Sequence, residues 1–408
     1  MYDTTQLIDE PELLEPLKRS FDDLTAPAYL RSVKIKLTAR CNLKCVMCRY
    51  GNGWSPPELP GERFIQALGE MAELGCRKVH FSGGEVLSRR DFEQIAGSAA
   101  ERGIKVTLTS NLTLLTKDRA RALLAHRISG ISTSLDGATA KVHESVRRIP
   151  GSFKRTLRGI EYIARYAKRR PPKLRVNFVM MRQNFRDYPA LVQLVGDRGA
   201  CDLVPMPVDT KRDELRLSKR LIHEYNSDIA PQVLALRTRY GFPLGDEYIY
   251  PFGRSKPELD SSANGEYALS YYKHAQCLAP WLHLFVAWDG KVYLCCMTNG
   301  RIEPLGDLAT QSVAEVWAGE RFQAVRAQMK QARLPFCHAC DMYLPENRAL
   351  NAALEAKRVG DPELGLRSGG SAGGSAGGSA GGLAGGSGVG SEAAAGVVSP
   401  RRRLPIHA

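Results

Sequence analysis

No stretch of this chain reaches about 18 consecutive apolar residues, the span a membrane-crossing helix needs. Its opening, Met1-Tyr2-Asp3-Thr4-Thr5-Gln6, has neither the basic n-region nor the apolar h-region of a secretory signal. A membrane partner and export are therefore not expected, and a cytoplasmic location is. Negative charge is in short supply, with 43 Asp and Glu against 57 Lys and Arg and a net charge of +14. Basic stripes interleaved with aromatics are missing too, which argues against a nucleic-acid groove. The segment beyond Arg367 contributes three Arg and one Glu, so the body carries the remaining +12, spread over amphipathic segments such as 152–170. A solvated basic face of that kind favours an anionic substrate. Large side chains are nearly absent from 368–390, where Ser-Ala-Gly-Gly repeats leave almost nothing to bury and maximal backbone entropy to lose, so a disordered tail is expected over 367–408. Cysteine is absent after Cys340.

The cysteines that are present number ten and include two C-x2-C pairs, a usage that suits metal ligation in a reducing compartment better than disulfides. A length of 408 residues with 43% apolar content allows two or more domains with sizeable cores. Short β-branched runs at 33–37, 78–82, 105–109, 130–134, 175–180 and 202–207 alternate with helical patterns at 62–74, 92–102, 117–126, 152–170 and 188–195. Such βα repeats predict an α/β fold with a parallel sheet and right-handed crossovers.

Cys41, Cys45 and Cys48 form a C-x3-C-x2-C loop directly after the first strand. A cubane [4Fe–4S] cluster normally takes four thiolates, so three from one loop leave an iron open to bind something else. Spacing alone also admits zinc or buried thiols. The loop resembles that of the radical SAM superfamily, in which the open iron is chelated by S-adenosylmethionine and a 5′-deoxyadenosyl radical is released. The resemblance implies a partial (β/α)6 barrel over 31–245, with 1–30 as an N-terminal extension and active residues at the C-terminal strand ends.

Further segments fit that resemblance. Ser82-Gly83-Gly84-Glu85 is similar to the family's "GGE" motif, in which the glycines let the ligand approach and the acid binds its ammonium. Asn111 and Ser134, at the ends of the third and fourth strands, resemble ribose- and carboxylate-contacting positions. Arg147, ahead of Gly151-Ser152-Phe153, resembles an arginine that reaches the methionine carboxylate, and a fixed fork of donors suits that role. Ser152 is also placed to cap the following helix. Met47 stands where relatives have an aromatic residue against the adenine.

A second block resembles the SPASM/twitch extension: Cys277, Gly290 and Cys295, followed by Cys337-x2-Cys340, with 246–366 as a small Fe–S domain. Cys277, Cys295, Cys337 and Cys340 would make one complete ligand set for one auxiliary cluster, though zinc is open there too and Cys296 competes with Cys295. Two [4Fe–4S] clusters and S-adenosylmethionine are thus the implied cofactors, with an external one-electron reductant such as flavodoxin or ferredoxin. Cys76, Cys201, Trp281 and Trp288 read as structural, and His338 as a loop residue. The resemblance to enzymes with one auxiliary cluster implies a radical dehydrogenase of a small sugar or aminocyclitol in antibiotic biosynthesis. Its substrate is then anionic or glycosidic, the auxiliary cluster takes the second electron, and Asp209 serves as base. The alternatives are a sugar epimerase, for which no cysteine is clearly placed, and a ribosomal peptide maturase.

Overall fold

The computed structural model describes residues 7–8, 10–27, 29–51, 53, 55–167, 171–200, 202–267, 271–337, 340 and 344–359. Cys201, His338 and the tail expected over 367–408 lie outside these residues.

Period-two alternation dictates the sheet. Along β1 (Ser32–Thr38), Val33, Ile35 and Leu37 are wholly buried on one face, while Lys34 and Lys36 sit half-buried on the other. The same split runs through β2 (Lys78–Gly83), β3 (Lys105–Thr109), β4 (Gly130–Ser134), β5 (Lys173–Met180) and β6 (Asp202–Pro207). Their buried faces present Val79, Phe81, Val106, Leu108, Ile131, Val176 and Phe178 to the connecting helices. Helix Gly61–Glu73 answers with Phe64, Leu68 and Met71, and helix Phe92–Glu101 with Phe92, Ile95 and Ala96. Each of the larger of these side chains, Phe, Leu, Ile or Met, contributes roughly 1.5–3 kcal/mol when fully buried. All five neighbouring pairs from β1 to β6 are parallel, as the βα pattern predicts.

The C-terminal segment joins this sheet. β7 (His283–Val286) pairs parallel with β1, and β8 (Lys291–Tyr293) and β9 (Gly306–Asp307) continue antiparallel. The order is β6-β5-β4-β3-β2-β1-β7-β8-β9, so among the described residues β6 and β9 are free edges and the barrel is open. Its other face is polar: Lys34, Lys36, His80, Thr107, Thr109, Ser132, Ser134 and Asn177 are all half-buried there. His80 bridges Thr107 and Thr109 at 3.0 Å each. A closed parallel barrel fills this space with layers of apolar side chains. Here it is left polar and open, as a substrate chamber requires.

Two local expectations change. Ser152 is the first helical residue, and Gly151, at φ 76°, occupies the cap, because the chain enters the helix through a left-handed turn that only glycine adopts freely. Trp281 is fully buried, with its indole N–H on the Ser20 carbonyl, but Trp288 is only half-buried. Cys76 is buried as expected. No helix of the described residues is long and apolar enough to cross a membrane.

Candidate active site

The cysteine loop leaves β1 at Thr38 and is pinned from two sides. Gly84 and Glu85 donate their N–H groups to the Thr38 and Arg40 carbonyls at 2.8 Å each, and Lys44 and Val46 donate to the Arg147 and Val146 carbonyls at 3.2 and 2.9 Å. A Cβ on Gly83 would collide with the Thr38 carbonyl, and one on Gly84 with the Arg40 carbonyl. The glycine pair therefore serves the approach of the cysteine loop, where the sequence pointed to approach of a ligand. Gly84→Ala is expected to displace the loop, so that anaerobically reconstituted protein loses the iron held by Cys41, Cys45 and Cys48 while retaining the rest. Iron and sulfide analysis checks this.

Glu58, in a proline-rich stretch with no motif, fastens the start of the same loop. Its carboxylate accepts from Thr38 Oγ1 at 2.5 Å and from the Ala39 N–H at 3.1 Å, and pairs with Arg40 at 3.0 Å. At the far end Arg212 donates to the Val46 carbonyl.

The three sulfurs fit thiolate ligation because each is met by an N–H donor. Leu43 N–H points to Cys41 Sγ at 3.5 Å, Tyr50 N–H to Cys48 Sγ at 3.4 Å, and Arg147 Nη1 to Cys45 Sγ at 3.4 Å. Such outer donors stabilise sulfur charge and tune a bound centre. Burial pushes the Cys41 thiol up to about 12 and raises Cys45 as well, so deprotonation there depends on bonding to a metal.

The other expected S-adenosylmethionine contacts surround this loop, but several are already engaged with protein. Glu85 is buried, and one carboxylate oxygen accepts from Leu87 N–H at 3.0 Å and Ser110 Oγ at 2.6 Å, the other from Asn111 N–H at 2.7 Å. Burial raises its carboxyl, and these donors oppose the shift. Its visible role is to tie the end of β2 to the end of β3. Asn111 donates to Asn42 Oδ1 at 2.9 Å and accepts from Thr113, thereby fixing the residue next to Cys41. Ser134 ends β4 opposite Asn177, half-buried and facing the chamber. Met47 packs on an apolar cluster of Val146, Met181, Val208 and Leu215 at the mouth, a wall that suits a flat ring.

Arg147 departs most from expectation. It is buried with its Nε 2.5 Å from Asp136 Oδ2, in addition to touching Cys45. Burial raises the Asp136 carboxyl above its ordinary value, and the adjacent Arg147 charge pulls it down. Asp209 lies after β6 at the expected barrel end, but its side chain is 54% exposed and pairs with Arg301 at 3.6 Å, the environment of a solvated ion pair.

Among the auxiliary cysteines, Cys277, Cys337 and Cys340 share one apolar cluster with Tyr272. Burial raises the Cys277 thiol to about 11, and Asn347 Nδ2 lies 3.8 Å from its sulfur. Cys295 interacts electrostatically with Cys277. Cys296, by contrast, packs with Phe285, Ala287, Tyr293 and Trp288. The two adjacent cysteines pack in different apolar clusters, a difference that no local spacing encodes, and the interaction of Cys295 with Cys277 favours Cys295 as the ligand. Among the described residues no three His, Cys, Asp or Glu side chains converge closely enough to hold a single metal ion. A cubane, bound at separate corners, holds its thiolates farther apart than one ion does.

A cleft of about 350 Å³ is lined by Arg49, the neighbour of Cys48 in the chain, and by Ala287, Trp288, Asp289, Tyr293, Asn299 and Gly300. None of these was singled out for binding from the sequence, because no motif marks them. Alternation of Lys34 and Lys36 on the polar face of β1 was the one available signal of cations behind it.

Residues 35–195 match the model of the radical SAM superfamily, and 277–341 that of the iron-sulfur cluster-binding SPASM domain. The AdoMet-dependent heme synthase of Methanosarcina barkeri is 29% identical over 310 residues, covering 72% of this chain and 84% of that protein. The PqqA peptide cyclase of Rhodopseudomonas palustris is 30% identical over 167 residues, and the match spans 40% of this chain and only 43% of that protein. In fold, Streptococcus suis SuiB bound to precursor peptide SuiA superposes with a TM-score of 0.58 at 16% identity, covering 78% of this chain and 71% of SuiB. The enzyme anSMEcpe with bound AdoMet and Cp18Cys peptide gives 0.55 at 17%, covering 76% and 86%. The chain thus carries a radical SAM domain and a SPASM domain, and these domains imply a [4Fe–4S] cluster with S-adenosylmethionine and auxiliary iron–sulfur ligation.

Proposed function

We propose that this enzyme oxidatively modifies a peptide. The observation that carries the reading is the open mouth. The polar chamber is unclosed beyond β6 among the described residues, and the 350 Å³ cleft beside the cysteine loop has room for a side chain while the rest of a long substrate stays outside. The peptide cyclase relative and the two peptide-bound structures of similar fold support the same reading. The sugar or aminocyclitol alcohol expected from the sequence has no such support.

When bound, S-adenosylmethionine and its cluster supply a carbon radical that removes one hydrogen atom from the substrate, with one electron coming from the external reductant. The substrate radical then loses a proton and an electron, so the peptide is oxidised by two electrons overall. Cys277, Cys295, Cys337 and Cys340 are the residues proposed to hold the acceptor. A cluster with all four protein ligands has no open iron for substrate and is suited to electron transfer.

The test is co-production with short peptides encoded beside the gene, read by mass spectrometry. A peptide lighter by one H2, formed only with S-adenosylmethionine and lost in Cys277→Ala, is the expected result. Unchanged peptides together with ketone formation from a secondary alcohol would return the reading to the alcohol dehydrogenase. A second reading, oxidation in heme synthesis, is favoured by the 84% coverage of the heme synthase. The same preparation, offered porphyrins and read by absorbance, separates it.

A further inference from the structure

Two residues that line the cleft, Arg49 and Asn299, meet Lys36 at the Tyr50 hydroxyl in a cluster of donors with one acceptor. Lys36 Nζ lies 2.7 Å from the Tyr50 hydroxyl and Arg49 Nη2 lies 3.3 Å from the same oxygen. The Asn299 amide nitrogen faces this hydroxyl too, and it is buried, at 5% residue exposure, without a hydrogen bond of ordinary length. A phenol oxygen has two lone pairs, too few for three such groups. Among the described residues neither Lys36 nor Arg49 has a carboxylate within 4 Å; their aromatic neighbours are the Tyr50 ring, 4.3 and 5.3 Å away, and for Lys36 the Phe285 ring at 5.9 Å, and the Cys48 and Cys296 sulfurs also act on Lys36. The one acid lining the cleft, Asp289, accepts from the Lys291 N–H in its own turn. A buried donor without an acceptor, here the Asn299 amide, is costly unless a ligand completes it, and the half-buried Lys36 and exposed Arg49 are free to turn toward the same ligand.

We propose that Lys36, Arg49 and Asn299 form an anion subsite that takes a carboxylate of the substrate, anchoring it between Cys48 and the β7–β8 turn. Trp288, whose ring meets that of Tyr50 edge-on at 5.8 Å, and Tyr293 form the apolar walls around the carboxylate's stem. On the peptide reading given above, on which this assignment rests, the carboxylate is a Glu or Asp side chain or the C-terminus. The subsite makes acidity next to the reacting residue a specificity determinant.

The test uses cluster-reconstituted full-length enzyme with S-adenosylmethionine, titrated calorimetrically with acetyl-Gly-Gly-Glu-Gly-Gly-amide, its Gln counterpart, the all-glycine peptide with a free C-terminus, and glutarate. The Glu peptide is expected to bind about tenfold more tightly than the Gln peptide, as a charge-assisted contact implies. Lys36→Met should erase that difference while iron content and S-adenosylmethionine binding stay as in the parent. Asn299→Asp, which places a carboxylate in the subsite, should do the same and guards against misfolding of the first variant. Preference for the free C-terminus over Glu would identify the terminal carboxylate as the anchored group. Lys36-dependent binding of glutarate but of no peptide would keep the subsite and overturn the peptide reading. Equal binding of the Glu and Gln peptides with no binding of glutarate or the free terminus, or an acid preference that survives Lys36→Met, would overturn the subsite.

Discussion

Replacing Cys41, Cys45 and Cys48 together by alanine will leave about four of about eight reconstituted irons, as loss of one of two four-iron clusters requires. S-adenosylmethionine cleavage is expected to fall below detection, because the three thiolates proposed to leave one iron open are lost with that loop. The retained irons should disappear when Cys277, Cys295, Cys337 and Cys340 are replaced as well, and Cys296→Ala alone should leave iron content unchanged, since Cys296 packs toward Phe285 and Trp288. Anaerobic iron and sulfide analysis with product chromatography reads all three variants. Stoichiometric zinc in place of the second four irons would mean that the C-terminal set is a structural site with no electron to accept.

The barrel was legible because its strands are simple. Val33, Ile35 and Leu37 alternate strictly, each strand is separated from the next by an amphipathic helix, and each expected strand forms within two residues of its predicted ends. The C-terminal strands were not legible. β8 and β9 are three and two residues long, too short for a periodic signal, and exist because β7 finds the edge of β1.

The site divides in the same way. The cysteines announce themselves by spacing, a local property of the chain. The motif resemblance carries no sign of the protein contacts beside it: Gly83 and Gly84 are required by a backbone contact with Thr38–Arg40, and the Glu85 carboxylate binds Ser110 and Asn111. The Tyr50 donor cluster joins residues 36, 49, 50 and 299, a separation no local pattern encodes.

Arg147→Ala is expected to destabilise the protein by about 3–5 kcal/mol at neutral pH, the usual cost of stripping a buried charge of its partner. That is a large part of the roughly 5–15 kcal/mol that holds a domain folded. The Asp136 side chain is fully buried and Arg147 is 9% exposed, so water cannot substitute for the missing guanidinium. Only the Val179 N–H, at 3.1 Å, would remain on the Asp136 carboxylate. The pH dependence follows from the direction of the shift. Burial already raises the Asp136 carboxyl, and without Arg147 nothing cationic opposes it, so the folded-state value lies well above the unfolded value of about 3.9. A carboxyl raised by folding contributes stability below its unfolded value and loses it as pH rises through the folded value. The deficit of the variant should therefore shrink from pH 8 to pH 6, and adding Asp136→Asn should recover most of it at both. Iron loading should fall too, because Cys45 loses the donor 3.4 Å from its sulfur. Urea midpoints at the two pH values, measured with iron content, check both effects. An Arg147→Ala protein with parental stability and full iron, but weak S-adenosylmethionine binding, would instead make Arg147 a ligand contact and nothing more.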